Sequence, residues 1–329
     1  MTSAVQVLGI SNAIVDVLAH VDEEFLGQLE APKGSMILID EDRAREVYAM
    51  MGPATEMSGG SVANTIAGLA NLGARTGYIG RVADDQLGMI FVHDMTSLGV
   101  DVRLPAAKDG APTARCYILI TPDGQRTMQT YLGACIELNK SDVSKRTIGD
   151  AEIILLEGYV WDTPHGQGAV NEAMRLSEET GGAVALSLSD ADCVARHRQA
   201  FLDAVTHQVK IVIGDDSEVI SLFEVETLDE AISRAAEFDC IFAMTRSEKG
   251  SVIVNGEERI VQEAYPVEKV IDTTGAGDAY AAAFLFGWVS GKSLKECADL
   301  GSFAGTAVIQ QVGARLEKDL FASNPNFQL

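Results

Sequence analysis

Short apolar segments alternate with helical segments through the second half of the chain. The apolar segments read as buried strands and cover residues 153–156, 183–186, 211–213 and 241–244. Helices are predicted near residues 166–180, 196–206, 216–223 and 229–237. Strands joined through helices pair in parallel, and helices then cover both faces of the sheet. The alternation therefore predicts a three-layer α/β/α domain with a mostly parallel central sheet, which binds ligands at the carboxyl ends of its strands.

A second group of strands is predicted outside this alternation. Residues 113–120 and 125–132 read as two strands, and Pro122-Asp123-Gly124 between them is a strong hairpin signal. Together with strand candidates near residues 14–20 and 35–40, they predict a small separate sheet that could serve as a lid. The expected organisation is a single chain of residues 1–329, with a lid from about 14–40 and 108–135 and a large domain from the remainder.

The run DTTGAGD at residues 272–278 leads into an apolar, helix-favouring segment. Its two glycines let backbone N–H groups face one ligand, and the first turn of a helix carries unpaired donors and a partial positive charge. Such a helix start binds anions, above all phosphate. Because a carboxylate repels phosphate, Asp278 is interpreted as a general base. The alternative is a helix start capped by Thr273 or Thr274, with Asp278 complementing the helix dipole.

A second glycine-rich helix start covers residues 58–65. Asn64 lies on its first turn, where an amide can both donate and accept hydrogen bonds. The alternative is a packed helix start with Ser61 as its cap. Asp16 interrupts an otherwise apolar strand, and a buried carboxylate is costly unless it is paired. It therefore faces either solvent at a sheet edge or a ligand rich in hydroxyl groups.

Composition excludes several classes of partner. The formal net charge of -23 argues against nucleic acid and anionic membrane surfaces. Five widely spaced cysteines, none in a CxxC pair, predict reduced core thiols rather than a disulfide framework or a zinc site. No apolar run approaches the roughly 20 residues that span a bilayer, so a cytoplasmic location is expected. A phosphate ligand would need strong local positive charge in so acidic a protein.

The motifs at residues 59–64 and 272–278, in this order, resemble those of the ribokinase, or PfkB, family of carbohydrate and nucleoside kinases. The likeness covers nearly the whole chain. The segment from Gly9 to Asp16, the run at residues 80–85 and the hairpin ending in Gln125-Arg126-Thr127 most resemble the adenosine kinase branch. The resemblance implies a ribokinase-like fold, with a large α/β domain and a small β-sheet lid.

Carried over by position, the resemblance implies an acceptor site and a catalytic group. The acceptor, or substrate, would be bound by Asn12, Asp16, Met36, Gly59, Gly60 and Asn64. The anion hole would consist of Gly275, Ala276 and Gly277, with Asp278 as the base. Arg126, on the lid hairpin, matches a family arginine that reaches the transferred phosphate. Leu38 and the residues from Tyr159 to Trp161 either flank a base or sugar or belong to the core.

The resemblance also implies a nucleotide site and metal sites. The nucleotide would be bound by Asp215, Thr245, Arg246, Lys249, Gly250 and Thr274. Glu218 and Asp215 would organise Mg²⁺ through water, although Asp215 stands where the family often has asparagine. The alternative there is an acidic helix start that complements its dipole. A monovalent cation such as K⁺ would sit at Asp272 and Thr274.

The expected activity is transfer of the ATP γ-phosphoryl group to a hydroxymethyl group of a ribose-containing substrate, with adenosine first among the candidates. A kinase for a sugar such as ribose or fructose is the second hypothesis, and a non-catalytic nucleotide or nucleoside sensor is the third. The expected partners are ATP and a small acceptor molecule. The expected assembly is a monomer or a homodimer formed through the lid.

Overall fold

The computed structural model describes residues 5–316, 318, 320 and 321. The strands in chain order are β1 (Val7–Ile10), β2 (Ile14–His20), β3 (Met36–Leu38), β4 (Thr55–Gly59), β5 (Thr76–Ile79), β6 (Asp101–Val102), β7 (Ala114–Ile120), β8 (Arg126–Tyr131), β9 (Ile153–Glu157), β10 (Ala183–Ser187), β11 (Ile211–Asp215), β12 (Ile241–Thr245), β13 (Ser251–Asn255) and β14 (Glu258–Gln262). The α-helices are α1 (Glu23–Gln28), α2 (Glu41–Met50), α3 (Ser61–Asn71), α4 (Gln86–Ser97), α5 (Lys145–Ile148), α6 (Pro164–Thr180), α7 (Ala191–His207), α8 (Asp216–Phe223), α9 (Leu228–Ala235), α10 (Ala276–Val289) and α11 (Leu294–Val308).

A nine-stranded sheet in the described part of the chain has the order β14-β13-β12-β11-β10-β9-β1-β5-β6. All neighbouring pairs from β12 to β6 are parallel, and β13 and β14 add an antiparallel hairpin at one edge. Successive residues of β9 divide between two cores. Ile153 and Leu155 pack with α3, α10 and α11, whereas Ile154 and Leu156 pack with α6 and α7. Both faces of the sheet are therefore covered, which confirms the predicted three-layer α/β/α fold.

Two helices start earlier than predicted, and their caps explain why. Thr163 accepts a hydrogen bond from the Gly166 backbone N–H, and Pro164 occupies the first helical position, so α6 starts at Pro164. The Asp190 side chain accepts a 2.6 Å hydrogen bond from the Cys193 backbone N–H, so α7 starts at Ala191 rather than near residue 196.

A five-stranded sheet, the small sheet, has the order β3-β8-β7-β2-β4. The predicted hairpin is present as the antiparallel pair of β7 and β8. The sheet also includes β4, which lies outside the two predicted lid segments and runs through Gly59 and Gly60 directly into α3. Val15, Val17, Tyr117 and Leu119 join one face of the sheet to the main core, together with residues of α1 and α2. The other face carries Asp16.

The cysteines agree with the expectation of reduced core thiols. All five cysteines lie in the described part of the chain and are buried, free thiols. Among the described helices, none has both the length and the hydrophobicity needed to cross a membrane.

Candidate active site

The two glycine-rich helix starts meet at the carboxylate of Asp278. Ser61 Oγ donates a 2.7 Å hydrogen bond to Asp278 Oδ1, and Asn64 Nδ2 donates a 2.9 Å bond to Asp278 Oδ2. The N-cap of α3 is Gly60, without a side-chain cap, so the alternative of Ser61 as a cap is wrong. Burial raises the pKa of Asp278, while the hydrogen bonds from Asn64 and Ser61 and the charge of Arg315 oppose this rise. These hydrogen bonds hold the ionisable Asp278 carboxylate between the start of α3 and the start of α10.

The first turn of α10 presents free backbone donors. Its N-cap is Gly275, with a φ of 77° and no side-chain cap, so capping by Thr273 or Thr274 is wrong. Among the described residues, the N–H groups of Gly275, Gly277 and Asp278 have no hydrogen-bond partner. A Cβ at Gly275 would overlap Ala314, whereas a Cβ at Gly277 would meet no atom within 4 Å. Gly277 is exposed, so its side of the turn is open to a ligand.

Asp16 faces this region from the small sheet. Its strand β2 pairs with β4 and β7 on its two sides, so the alternative of a solvent-facing edge strand is wrong. Burial raises the pKa of Asp16 to about 7, while Arg315 and Arg126 pull it down and Asp278 pushes it up. A Cβ at Gly59 would overlap the Asp16 carboxylate, which explains the glycine at that position.

Gly60 and Asn12 adjoin each other at the junction of the two sheets. Gly60 has a φ of 97°, and a Cβ there would lie 2.7 Å from the backbone oxygen of Asn12. Only glycine therefore fits this turn without strain. The arrangement brings Asn12 beside the start of α3, where Asn64 lies.

The side chain of Arg315 has a role at the site that the sequence analysis missed. Its Nη1 donates to the Ala63 backbone oxygen over 3.0 Å, and its Nη2 donates to Ser58 O and Ser58 Oγ over 2.5 and 2.8 Å. Burial lowers the pKa of Arg315, while Asp16 and Asp278 oppose this effect. A partly buried guanidinium thus balances two site carboxylates. A lone arginine in a loop has no spacing pattern that could have revealed this role.

Glu157 is the second residue that the sequence analysis missed. It ends the apolar strand β9 and is 2% exposed. Its Oε2 accepts a 3.0 Å hydrogen bond from the Val62 N–H at the start of α3, and its Oε1 accepts a 3.4 Å bond from the Asn12 N–H. Burial raises the pKa of Glu157 to about 7, although both N–H donors lower it. The available sequence signal was a carboxylate at the end of an apolar strand.

Asp272 connects the β7–β8 hairpin of the small sheet to the start of α10 and to the segment after α11. Its Oδ1 accepts a 3.0 Å hydrogen bond from the Thr274 N–H, and its Oδ2 accepts a 2.7 Å bond from the Gly313 N–H. Arg126, at the start of β8, forms an ion pair with the same carboxylate. Asp272 is 7% exposed, so this pair is largely shielded from water. A monovalent cation at Asp272 would compete with the Arg126 guanidinium.

The residues expected on the nucleotide side lie at the carboxyl ends of β11 and β12. Asp215 and Thr245 are register partners on these parallel strands. Arg246 follows, and its backbone N–H donates to Gly250 O over 2.7 Å. The Arg246 Nε is buried without a hydrogen-bond partner among the described residues, and Lys249 is exposed. An unpaired buried donor and an exposed ammonium on the same short turn fit an anionic ligand.

Asp215 and Glu218 form a capping box at the start of α8. The Glu218 N–H donates to Asp215 Oδ1 over 2.9 Å, and the Asp215 N–H donates to Glu218 Oε2 over 3.0 Å. Asp215 Oδ2 and Glu218 Oε1 accept no hydrogen bond from any described residue. Burial and the neighbouring charge of Asp215 raise the pKa of Glu218 to about 8. The free oxygens and their repulsion fit a hard divalent cation such as Mg²⁺.

An apolar face surrounds Asp16 on the small sheet. Strand register places Cys116 opposite Asp16, Ile118 opposite Leu18 and Met128 opposite both Ile118 and Met36. Met36 is 49% exposed and Leu38 is 63% exposed on the edge strand β3. Trp161, by contrast, is 2% exposed and packs edge-on against Phe201, so it belongs to the core.

Comparisons with known proteins agree with this geometry. Residues 37–319 match the family described as pfkB family carbohydrate kinase. The crystal structure of adenosine kinase from Sinorhizobium meliloti is 47% identical, with a TM-score of 0.87 over 95% of this chain and 96% of that one. A probable sugar kinase from Rhizobium etli CFN 42 is 43% identical, with a TM-score of 0.89 over 97% of each chain. A 5-dehydro-2-deoxygluconokinase from Geobacillus thermodenitrificans is 26% identical over 78% of this chain and 79% of its own length.

Proposed function

Because the chain belongs to the PfkB family of carbohydrate kinases, we propose that it phosphorylates the hydroxymethyl group of a ribose-containing nucleoside, with adenosine as the substrate. Family membership makes the chain an ATP-dependent kinase that acts on a small molecule and weighs against the sensor hypothesis. The identity of the acceptor is the proposed step. The observation that carries it is the apolar face beside Asp16, whereas the Asp278 carboxylate, held by Ser61 and Asn64 beside the free donors of α10, supports the phosphoryl transfer.

Asp278 takes the proton of the attacking hydroxyl group in this proposal. Its raised pKa lies closer to neutrality than that of an exposed aspartate, which improves its strength as a base. Phosphoryl transfer has a loose transition state, so the protein acts mainly by positioning and charge stabilisation. The N–H groups of Gly275, Gly277 and Asp278 would hold the transferred phosphoryl group, which carries the developing charge. Arg126 would reach that group by leaving its ion pair with Asp272.

Asp16 and Asn64 are proposed to bind the ribose hydroxyl groups. A carboxylate accepts two hydroxyl donors, and an amide can both donate and accept. Gly59, which has no side chain, leaves the space that the Asp16 carboxylate occupies. Asn12 and Gly60 close the same junction.

The apolar face beside Asp16 favours a nucleoside over a free sugar. Leu18, Ile118 and Met128 lie on this face, and Met36 and Leu38 extend it at the exposed edge. A purine base placed against these side chains would bury apolar surface at roughly 25 cal/mol per Å². A free sugar bound at Asp16 would leave the face in contact with water. Met36 is therefore assigned to base binding.

The nucleotide phosphates are proposed to lie between the α10 start and the carboxyl ends of β11 and β12. Arg246 and Lys249 would supply local positive charge, while Thr245, Gly250 and Thr274 shape the loops around the nucleotide. Asp215 and Glu218 would hold Mg²⁺ through water molecules. When bound, Mg²⁺ neutralises phosphate charge. K⁺ at Asp272 and Thr274 stays a prediction.

A coupled assay of ADP release tests the acceptor. The purified chain is given ATP and Mg²⁺ with adenosine, other nucleosides, ribose or fructose, each across a concentration series. We expect the highest kcat/KM with adenosine, and an Asp278→Asn variant gives the background. A higher kcat/KM with a free sugar would overturn the nucleoside proposal. If no acceptor gave ADP release, the chain would still belong to the family, but it would lack the proposed kinase activity.

A sugar kinase is the second candidate, favoured by the similarity to the Geobacillus thermodenitrificans 5-dehydro-2-deoxygluconokinase and to the Rhizobium etli probable sugar kinase. The same catalytic residues would serve both acceptors. The two functions differ in the role of the apolar face, which only a nucleoside base would cover.

A further inference from the structure

A carboxylate, a thiol and an imidazole converge away from the candidate active site. Asp162 ends the 3₁₀ turn Gly158–Asp162, which follows β9, while Cys193 and His197 lie on α7. Residues i and i+4 share one helix face, so both side chains of α7 approach the same neighbour. The three ligand atoms all lie within 4.8 Å of one another. No other group of this kind occurs in the part of the chain that the structure describes.

The cluster is layered from the core outward. Cys193 is fully buried at the bottom, whereas the side chains of His197 and Asp162 are 15% and 32% exposed at the rim. His197 Nε2 lies 2.7 Å from Asp162 Oδ1. The His197 ring centroid lies 6.1 Å from that of Phe201, which packs on Trp161. The packing of Phe201 and Trp161 thus orients the His197 imidazole. Because His197 and Asp162 are partly exposed, a cation can reach them from solvent.

Arg196 orients the carboxylate of Asp162. Its Nε donates to Oδ1 and its Nη2 donates to Oδ2, each over 3.0 Å. With a cation on Oδ1, the guanidinium keeps its bond to Oδ2. A group that hydrogen-bonds a metal ligand, as Arg196 does to Asp162, holds that ligand in a fixed orientation. A thiolate and a carboxylate together offset the charge of a divalent cation next to Arg196.

We propose that Asp162, Cys193 and His197 form a binding site for a thiophilic divalent cation of the zinc class, with water as the fourth ligand. Zinc takes sulfur, nitrogen and oxygen ligands at about 2.0–2.3 Å, so the edges of its tetrahedron measure roughly 3.3–3.8 Å. To reach that geometry, His197 Nε2 and Asp162 Oδ1 move apart from 2.7 Å by roughly 0.6 Å, while the Cys193 sulfur, which lies within 4.8 Å of both, moves closer by up to about 1 Å. As the metal–sulfur bond forms, Cys193 releases its proton to solvent. Mg²⁺ does not compete, because it avoids thiolate ligands.

Titration with Co²⁺ and then Zn²⁺ tests the site on the full chain after treatment with a chelator. Co²⁺ bound to a thiolate gives a charge-transfer absorption, and we expect one equivalent to saturate this band. Zn²⁺ should then displace Co²⁺ and remove the band. Cys193→Ser should abolish the band. Asp162→Asn and His197→Asn should each weaken binding by more than the about 10–100-fold that a supporting residue contributes.

Two variants serve as matched controls. His207 lies 3.4 Å from Asp203 on the same helix, without a place in the cluster, so His207→Asn should bind as wild type. Cys240 is a buried thiol outside the cluster, and Cys240→Ser should retain the band. Absence of the band in the wild type, or its persistence in Cys193→Ser, would overturn the proposal. Should Cys193→Ser fail to fold, unchanged affinity in both Asp162→Asn and His197→Asn would overturn it equally.

Discussion

Asn64 Nδ2 donates a 2.9 Å hydrogen bond to Asp278 Oδ2 across 214 positions of sequence. The bond joins the first turn of α3 to the first turn of α10, and the two helices pack on the same face of the large sheet. Hydrogen bonds to a carboxylate favour its charged form, while burial opposes it. The amide of Asn64 thus holds the partly buried Asp278 carboxylate, our proposed base, in a fixed orientation.

Replacement of this base separates catalysis from binding. Asp278→Asn keeps the size of the side chain but removes its ability to take a proton. We expect kcat to fall by about 10²–10⁴-fold. Binding of the acceptor, measured by calorimetry, should change little. Ser61→Ala, which removes one hydrogen bond but keeps the carboxylate, should lose much less activity. Turnover of Asp278→Asn close to wild type would contradict the base assignment.

Gly277→Ala tests the anion hole without disturbing the protein's own packing. A Cβ at residue 277 meets no protein atom within 4 Å, and Gly277 lies outside the set of glycines with positive φ. Alanine favours a helix over glycine by up to about 1 kcal/mol, so thermal stability should hold or rise. The methyl group would occupy the space of the phosphate, and we expect kcat to fall by about 10²–10³-fold, the scale set by the loss of one positioned donor. Wild-type activity in a stable Gly277→Ala would place the phosphate elsewhere.

The exposed edge strand β3 of the small sheet offers a test of the proposed base binding. Met36 and Leu38, on β3, lie on the same face of the small sheet as Asp16, whereas Ile37 lies on the opposite face. Met36→Ser with Leu38→Ser should raise the KM for adenosine several-fold, because apolar contact with the base is lost. Both side chains are exposed, so the unfolding temperature should change little. Ile37→Ser, 36% exposed on the same strand, is the matched control and should leave this KM unchanged. If Ile37→Ser raised the KM for adenosine equally, the effect would come from a disturbed β3 strand and not from lost contact with the base.

The sequence predicted the features that rest on a repeated pattern or motif. It did not predict single residues, such as Glu157 and Arg315, that contact the site from elsewhere in the chain. The four apolar residues at 153–156 are buried on both faces, which gave the parallel sheet correctly. The glycine-rich starts predicted the positions of Asn64 and Asp278. Glu157 and Arg315 carry no such pattern, because each acts on groups that are distant in sequence and adjacent only after folding. Asp16 left two interpretations open, and the strand order excluded the one that placed it at a sheet edge.

Arg315 should set the pH range of activity. Its charge lowers the pKa of both Asp16 and Asp278, against the larger effect of burial. Arg315→Met removes the charge, so both carboxyl groups should hold their protons to higher pH. We expect the acidic limb of the kcat/KM profile to move to higher pH, and Arg315→Lys should restore part of the shift. Arg103, 1% exposed in its side chain, holds the carbonyl groups of Thr147 and Ile148, and Arg103→Met should leave the position of the limb unchanged. If the acidic limb of the profile did not move in Arg315→Met, the charge of Arg315 would not control the pH range of activity, and the residue would serve only in packing.

Glu157 should make the stability of the fold depend on pH. Burial raises its pKa from 4.5 to about 7 in the folded chain. Between these values the folded chain holds a proton that the unfolded chain has released. The free energy of unfolding should therefore fall as pH rises through this window, by at most about 1.4 kcal/mol per pH unit for this group. Denaturant titrations from pH 4.5 to 8 measure the slope.

Glu157→Gln cannot ionise, so its slope should be shallower than that of the wild type. A residual slope is expected, since the pKa of Asp16 is also raised to about 7 and that of Glu218 to about 8. The neutral side chain accepts through one oxygen only, so one of the N–H groups of Asn12 and Val62 loses its partner. That loss lowers stability by about 1–3 kcal/mol at all pH values and leaves the slope untouched. Parallel curves for the variant and the wild type would show that Glu157 is ionised throughout this range.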